Sequence, residues 1–205
     1  MARLHCPIGA YSCYGLRMDE QISDQELVKA ALAHRDAFAH IVARYDTRIR
    51  QYVIRLGSLD AETAKDILQE VFIKTYLHLN DYDPTLPFSA WLYRIARNET
   101  ISHFRKQKNR PRVMKSEADL EAFDRIADDI DIEREADATI NQDAVRAALE
   151  TLNLKYRDVI LLRFFEHKSY DEISDILELP PGTVAVYLHR AKAALKEQLK
   201  RYDEQ

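Results

Sequence analysis

The chain has 205 residues, of which 46% are hydrophobic, with only four glycines, six prolines and a formal net charge of −4. So few backbone breakers over that length favour packed helices over turn-rich sheets, and the length suits two small domains; the composition therefore predicts an all-α protein. No apolar run approaches the roughly 18 to 20 residues that cross a bilayer, and the N-terminus lacks the sustained apolar core of a signal peptide, so a cytoplasmic protein without membrane insertion is expected.

Residues 1–23 read as a disordered leader, and Met18, followed by Asp-Glu-Gln, is an alternative natural start. The two cysteines, Cys6 and Cys13, fall in this leader, outside any helical periodicity, and do not form a disulfide framework. With His5 they offer three soft ligands, one fewer than a closed structural zinc site usually has, so no metal or other cofactor is expected.

From Asp24 onward Leu27, Ala30, Ala31, Phe38, Ile41, Val42 and Tyr45 recur at helical spacing, predicting one or two amphipathic helices that run to about Leu56 and break at Gly57-Ser58. The next helix places Ala64, Ile67, Leu68, Val71, Phe72 and Leu79 on one face and leaves Asp66, Gln69, Glu70, Ile73 and Lys74 largely on the other. That mixed second face suits either solvent or a protein partner. Asn80 to Pro87, with two prolines and two aspartates, reads as a loop. Helix resumes near Phe88, carries Trp91, Leu92, Ile95 and Ala96, and stops at Pro111.

The modest net charge hides an uneven distribution. Arg94, Arg97, Arg105, Lys106, Lys108, Arg110, Arg112 and Lys115 are opposed in their stretch only by Glu99, whereas ten acidic residues follow between Glu117 and Asp137. Aromatic Tyr82, Phe88, Trp91, Tyr93 and Phe104 interleave with the first of these cations, the combination that single-stranded nucleic acid needs for stacking and phosphate contact. At least one of Phe88 and Trp91 is equally readable as core. The acidic segment has no convincing apolar face and reads as a linker over residues 113–140 that can compete for the basic stretch.

A second packed unit starts near Asn141. Val145, Ala148, Leu149 and Leu152 form one short face, and Val159, Ile160, Leu162, Arg163 and Phe164 belong to a further helix. Ser169-Tyr170-Asp171-Glu172 is a capping box that opens a third, with Ile173, Ile176 and Leu177 on its apolar side. Pro181-Gly182-Thr183-Val184 starts the fourth, Pro181 suiting a first helical position because it has no amide hydrogen to leave unpaired. Two short helices joined by a tight turn make a helix-turn-helix, which on its own also occurs in ordinary bundles. No metal-ligand cluster, Gly-rich phosphate loop or activated nucleophile supports a nucleic-acid enzyme.

Three stretches together are more specific: Asp66-Ile67-Leu68-Gln69-Glu70-Val71-Phe72; Phe88-Ser89-Ala90-Trp91-Leu92-Tyr93-Arg94-Ile95-Ala96-Arg97-Asn98; and Gly182-Thr183-Val184 with Leu188, Arg190 and Ala191. In sequence, order and spacing they resemble the extracytoplasmic-function (ECF) sigma factors of bacterial RNA polymerase, over nearly everything from Asp24 to Leu199. The resemblance implies a non-enzymatic polymerase subunit. Its region 2, residues 24–112, binds the polymerase clamp through Asp66, Gln69, Glu70 and Ile73. The same region takes the minus-10 element, as duplex and as melted strand, through Asn80, Tyr82, Phe88, Ser89, Trp91, Arg94, Arg97, Asn98, Arg105 and Lys106. The loop from Asn80 to Ser89 captures a flipped base, with Asn80 and the main chain free to bond its edge. Region 4, residues 141–202, binds the polymerase flap and the minus-35 element through Thr183, Val184, Tyr187, Arg190 and Lys192, and the linker follows the path that in the family leads toward the RNA exit. An anti-sigma factor or a Ser/Thr kinase is a further partner consistent with this reading. The rival from another class is a stand-alone helix-turn-helix regulator that finds its own operator without polymerase.

Two positions depart from the family pattern. Where the family often has Lys-Ser-Arg after Gly-Thr-Val, this chain has Ala185-Val186-Tyr187, which leaves more of the minus-35 contact to apolar groups and DNA shape. Three residues before Asp66, where the family often has an acid, stands Thr63, a candidate phosphorylation site or an ordinary helix-start residue.

Overall fold

The computed structural model describes residues 22–106 and 142–203, and all regular structure in them is helical. The leader with Cys6 and Cys13, the basic residues after Lys106 and the acidic segment lie outside the described residues.

The N-terminal unit has four α-helices: α1 Asp24–Ala33, α2 Phe38–Gly57, α3 Ala61–Leu77 and α4 Phe88–Lys106, with single 3₁₀ turns at Arg35–Ala37 and Leu79–Asp81. Ser23 and Glu26 form a reciprocal capping box at the start of α1, satisfying two amides that a helix start leaves without partners. Helix α2 buries Ile41, Tyr45, Ile49, Tyr52, Val53 and Leu56, spaced to line one stripe. Its last residue is glycine because a Cβ at position 57 would sit 2.6 Å from side-chain atoms of both Leu59 and Phe104. Ser58 then turns the chain with φ 48°, a left-handed conformation that short polar residues tolerate. Asp60 caps α3 by accepting the Thr63 amide at 2.7 Å. Helix α4 packs on α2 and α3, with Leu92, Tyr93, Ala96 and Thr100 fully buried.

The C-terminal unit contains α5 Gln142–Thr151, α6 Leu154–Ile160, α7 Tyr170–Leu177 and α8 Pro181–Asp203. The apolar positions expected to face inward, Val145, Ala148, Leu149, Leu152, Val159, Ile160, Leu162, Ile173, Ile176 and Leu177, are all buried, and α8 packs against α5, α6 and α7. The expected capping box is present, with Ser169 Oγ accepting the Glu172 amide at 3.1 Å and Glu172 accepting the Ser169 amide at 2.9 Å, and α8 starts at Pro181. One feature departs from simple helix: after Ile160 the chain widens into a π turn over Leu161–Phe165. The amide of Glu166 bonds back to Leu161 O at 3.1 Å, and His167 follows with φ 54°.

The two units touch. Helix α4 lies along α7, α2 meets α6 and the π turn, and their buried side chains form one continuous cluster.

Candidate polymerase and nucleic-acid interface

Asp66, Gln69, Glu70 and Ile73 are all exposed on α3. Ile73 is 52% exposed and is joined by Leu77 at 66% and Tyr76 at 38%. Asp66, Glu70, Ile73 and Leu77 step by four, three and four residues, so they form one ridge along the helix. The ridge is therefore more apolar at its C-terminal end than sequence reasoning allowed, since Leu77 counts as core by residue type and only the position of Leu79 beyond it reveals that it faces out. Lys74 does not extend this patch, because its ammonium pairs with Glu99 of α4 at 2.7 Å.

The loop after α3 is pinned rather than free. Asp83 accepts both the amide and the hydroxyl of Thr85, at 2.9 and 2.7 Å, and these bonds hold its carboxyl below the usual carboxylate range. Gln25 of the α1 start donates to Pro84 O at 3.2 Å. Asn80 is exposed at one end of this loop. The expectation that Tyr82 and Phe88 present open faces to DNA does not survive their burial. Phe88 is 2% exposed and meets Tyr45 and Tyr82 edge-on at centroid distances of 5.8 and 5.3 Å, while the Tyr82 hydroxyl is spent on Leu86 O. Trp91, tilted against both at 5.5 and 5.7 Å, stays partly exposed at the rim of this aromatic cluster. The shared edge-to-face packing is worth more to the core than an isolated stacking plane would be.

Along α4 the expected contact residues divide into two groups. Asn98, Arg105 and Lys106 are exposed. Ser89, Arg94 and Arg97 instead face the C-terminal unit: Arg97 Nε donates to Asp158 at 2.6 Å, Lys168 Nζ donates to Ser89 Oγ at 2.6 Å, and Arg94 reaches Glu178 at 3.5 Å.

These pairs belong to a polar seam between the units that the sequence reading missed. Asp158, completely buried, accepts from Arg97 and from the Tyr52 hydroxyl at 2.7 Å. Glu166, 4% exposed, accepts the Tyr93 hydroxyl and lies 3.9 Å from Arg48 and 4.0 Å from Arg55, whose guanidinium also stacks 4.5 Å over Phe165. Lys168, 5% exposed, bridges Ser89 and Glu172. Burial raises the pKa of Asp158 despite Arg97 and Tyr52, and raises that of Glu166 despite Tyr93, Arg48, Arg55 and Lys168. Burial and the facing carboxylates push the Tyr52 and Tyr93 hydroxyls far up, so both remain donors. The available sequence signal was an acid at each end of one largely apolar run, Asp158 before Val159-Ile160 and Glu166 after Phe164-Phe165. A charge is rarely found at such positions unless it is paired.

In the helix-turn-helix, Arg190 is exposed and Thr183 and Tyr187 partly so. Val184 is fully buried and serves the packing of α8, so the expectation that it touches DNA is corrected. Tyr187 leans edge-on against Tyr156 at 6.0 Å, and the Lys192 ammonium sits 5.8 Å from the Phe164 ring centre.

Comparison with known proteins accounts for both units. A family model described as Sigma-70 region 2 matches residues 41–110, and one described as Sigma-70, region 4 matches residues 142–195. The chain is therefore of the sigma-70 class. It is 35% identical to the ECF RNA polymerase sigma factor SigW of Bacillus subtilis, with 88% of this chain and 98% of that protein covered, and 30% identical to the ECF RNA polymerase sigma-E factor of Escherichia coli K12, with 89% and 97% covered. It belongs to the ECF RNA polymerase sigma factors. Among solved structures it is similar to CnrH in complex with the cytosolic domain of CnrY, with a TM-score of 0.64, 25% identity, and 87% of this chain and 97% of that one covered. The fold is also that of the sigma factor RpoE of Bartonella quintana, in complex with the anti-sigma factor NepR, at a TM-score of 0.59.

Proposed function

We propose that region 2 docks on the polymerase clamp through the α3 ridge of Asp66, Gln69, Glu70, Ile73 and Leu77 and reads the minus-10 element with the Asn80 loop, Trp91 and the α4 cations. Region 4 meets the minus-35 element with Thr183, Tyr187, Arg190 and Lys192. The observation that carries this assignment is the exposed apolar ridge on α3 beside a pinned loop whose terminal Asn80 is free to bond a base edge. The subunit contributes no catalytic group, since polymerase performs nucleotidyl transfer, and it acts in the cytoplasm, where core polymerase is found. The relatives whose structures contain the cytosolic domain of CnrY or the anti-sigma factor NepR support an anti-sigma partner for this chain too. Thr63, at the third helical position of α3 beside the ridge, is where a kinase would add charge to it.

Reconstitution with core polymerase, followed by sequencing of transcripts started from genomic DNA, tests the assignment. Promoter-specific starts are expected, and Asn80→Ala should relax preference at one minus-10 base while leaving others unchanged. An equal loss from every variant of that base would remove Asn80 from readout. Sequence-specific duplex binding by the free chain, with no dependence on polymerase, would instead favour an operator-binding regulator.

A further inference from the structure

We infer that the minus-35 element is read by a ridge of α8 made of Gly182, Val186 and His189, seated so deep in the major groove that Val186 takes the methyl group of a thymine. The inference rests on the assignment of region 4 to the minus-35 element above, and adds which side chains read that element and which base one of them selects.

The packing of α8 fixes which of its sides points outward. Val184, Leu188, Ala191, Leu195 and Leu199 are buried where the helix meets α5, α6 and α7, so they line one stripe. Gly182, Val186, His189 and Ala193 are exposed. They step by four, three and four residues, which at about 3.6 residues per turn puts them on the side opposite that stripe. A recognition helix meets base edges in the major groove through the outer side of its first turns. Gly182, Val186 and His189 all fall within the first nine residues of α8.

The flanks of this ridge are suited to phosphates rather than bases. Thr183, Tyr187 and Arg190 follow one another along one edge, where Tyr187 already leans on Tyr156 at 6.0 Å. Lys192 and Lys196 follow the other edge, the Lys192 ammonium 5.8 Å from the Phe164 ring centre. Hydroxyls and cations at the two edges of the helix meet the two backbones that border the groove, and such contacts fix register without reading sequence. Between the edges Ala185 and Val186 offer no polar side-chain atom, and Val186 is 45% exposed. In the major groove the base edges display donors and acceptors with a single methyl group among them, that of thymine, and it is the feature an apolar side chain can select.

Gly182 is a second and independent ground. Its backbone is outside the left-handed region, and a Cβ there would meet nothing within 4 Å. Neither the turn nor the packing therefore requires a glycine. Glycine in a helix is destabilising relative to alanine, and no contact inside the chain offsets that loss here. What a missing Cβ permits at an outward position is the close approach of a surface from outside. Gly182 lies one turn before Val186, so the first turn of α8 can settle low enough for a short side chain to reach a base. His189, a turn further on, carries ring nitrogens able to donate to or accept from the edge of a neighbouring pair.

The test uses holoenzyme reconstituted with core polymerase, on a promoter identified by the transcript sequencing above, with each minus-35 thymine replaced in turn by deoxyuridine. That exchange removes one methyl group and leaves base pairing intact. Wild-type affinity should fall about fourfold at one of these thymines, the equivalent of about 0.8 kcal/mol for one buried carbon. Val186→Ala should bind the thymine promoter about as weakly as wild type binds the deoxyuridine one, and should be indifferent to the exchange. Gly182→Ala should raise the Tm of the free chain by about 1 to 4 °C in calorimetry while lowering affinity for the same promoter, opposite signs that a purely structural role does not give. Four results would each overturn the inference: no thymine to which wild type responds, equal responses of wild type and Val186→Ala at every thymine, a Gly182→Ala chain that is not stabilised, or a stabilised one that keeps full affinity. Failure of the underlying assignment is seen separately, as wild-type holoenzyme that starts equally well when the whole minus-35 element is scrambled.

Discussion

Replacing Arg157 by Ala removes the side chain that ties the ends of two helices to each other. Its Nη1 donates to Leu56 O and Ser58 Oγ, both at 3.0 Å, at the close of α2. Its Nε donates to Leu149 O at 2.9 Å and its Nη2 to Glu150 O at 2.5 Å, in the last turn of α5. Carbonyls at a helix C-terminus have no partner within the helix and carry partial negative charge, so one guanidinium here serves three of them. Burial pushes the Arg157 pKa down, opposed by nearby Glu150, but arginine stays protonated far above neutral pH. Charge-assisted bonds contribute about 1.5 to 3 kcal/mol each, and water can replace some of them at this partly exposed site, so a loss of about 3 kcal/mol is expected. For a chain of this size that lowers Tm by about 6 to 12 °C. Scanning calorimetry of wild type, Arg157→Ala and Arg157→Lys measures it. The lysine variant should recover less than half the loss, because a single ammonium cannot span both helix ends. A fall below about 2 °C on Arg157→Ala, or full recovery by lysine, would refute the reasoning.

On the α3 ridge, Leu77→Asp should leave stability within about 0.5 kcal/mol, since the side chain is exposed, yet weaken core polymerase binding about tenfold or more in a competition assay. Thr63→Asp adds negative charge in the first turn of α3 and should stabilise the chain by about 0.3 to 1 kcal/mol while improving competition for core polymerase; equal competition by wild type, Thr63→Ala and Thr63→Asp would remove the charge argument. Because burial raises the pKa values of Asp158 and Glu166 above 3.8 and 4.5 in the folded chain, that chain binds these protons more tightly than the unfolded one. The stability contributed by the two carboxyls, read by calorimetry as the Tm difference between wild type and Asp158→Asn with Glu166→Gln, should therefore rise as pH falls through the raised values toward the ordinary ones and fall as pH rises through them. A difference that increases with pH over that interval would contradict this.

Much of the fold was legible because it follows local rules. The stripe from Ile41 to Leu56, the capping box at Ser169 and the start at Pro181 are set by residues within a turn or two of one another. The α3 face of Asp66 to Ile73 was legible for the same reason. What escaped depends on which surfaces meet. Phe88 and Val184 sit inside motifs associated with DNA contact, but their burial is decided by Tyr45 and Tyr82 in one case and by helices α5 to α7 in the other. The acids between Glu117 and Asp137 were expected to compete for the basic stretch, and they lie outside the described residues. The carboxylates found against region 2 cations are single acids 21 residues or more further along the chain. Nothing at the level of charge runs distinguishes Asp158 from a solvated surface acid.

The polar seam makes each half of the chain answerable for the other. Asp158 is completely buried and draws its bonds from Arg97 and Tyr52 of the first unit, so the loss of either donor strands a carboxylate away from water, a cost larger than the net worth of the intact pair. A substitution on α2 or α4 is therefore felt first by an acid more than 60 residues away in the sequence.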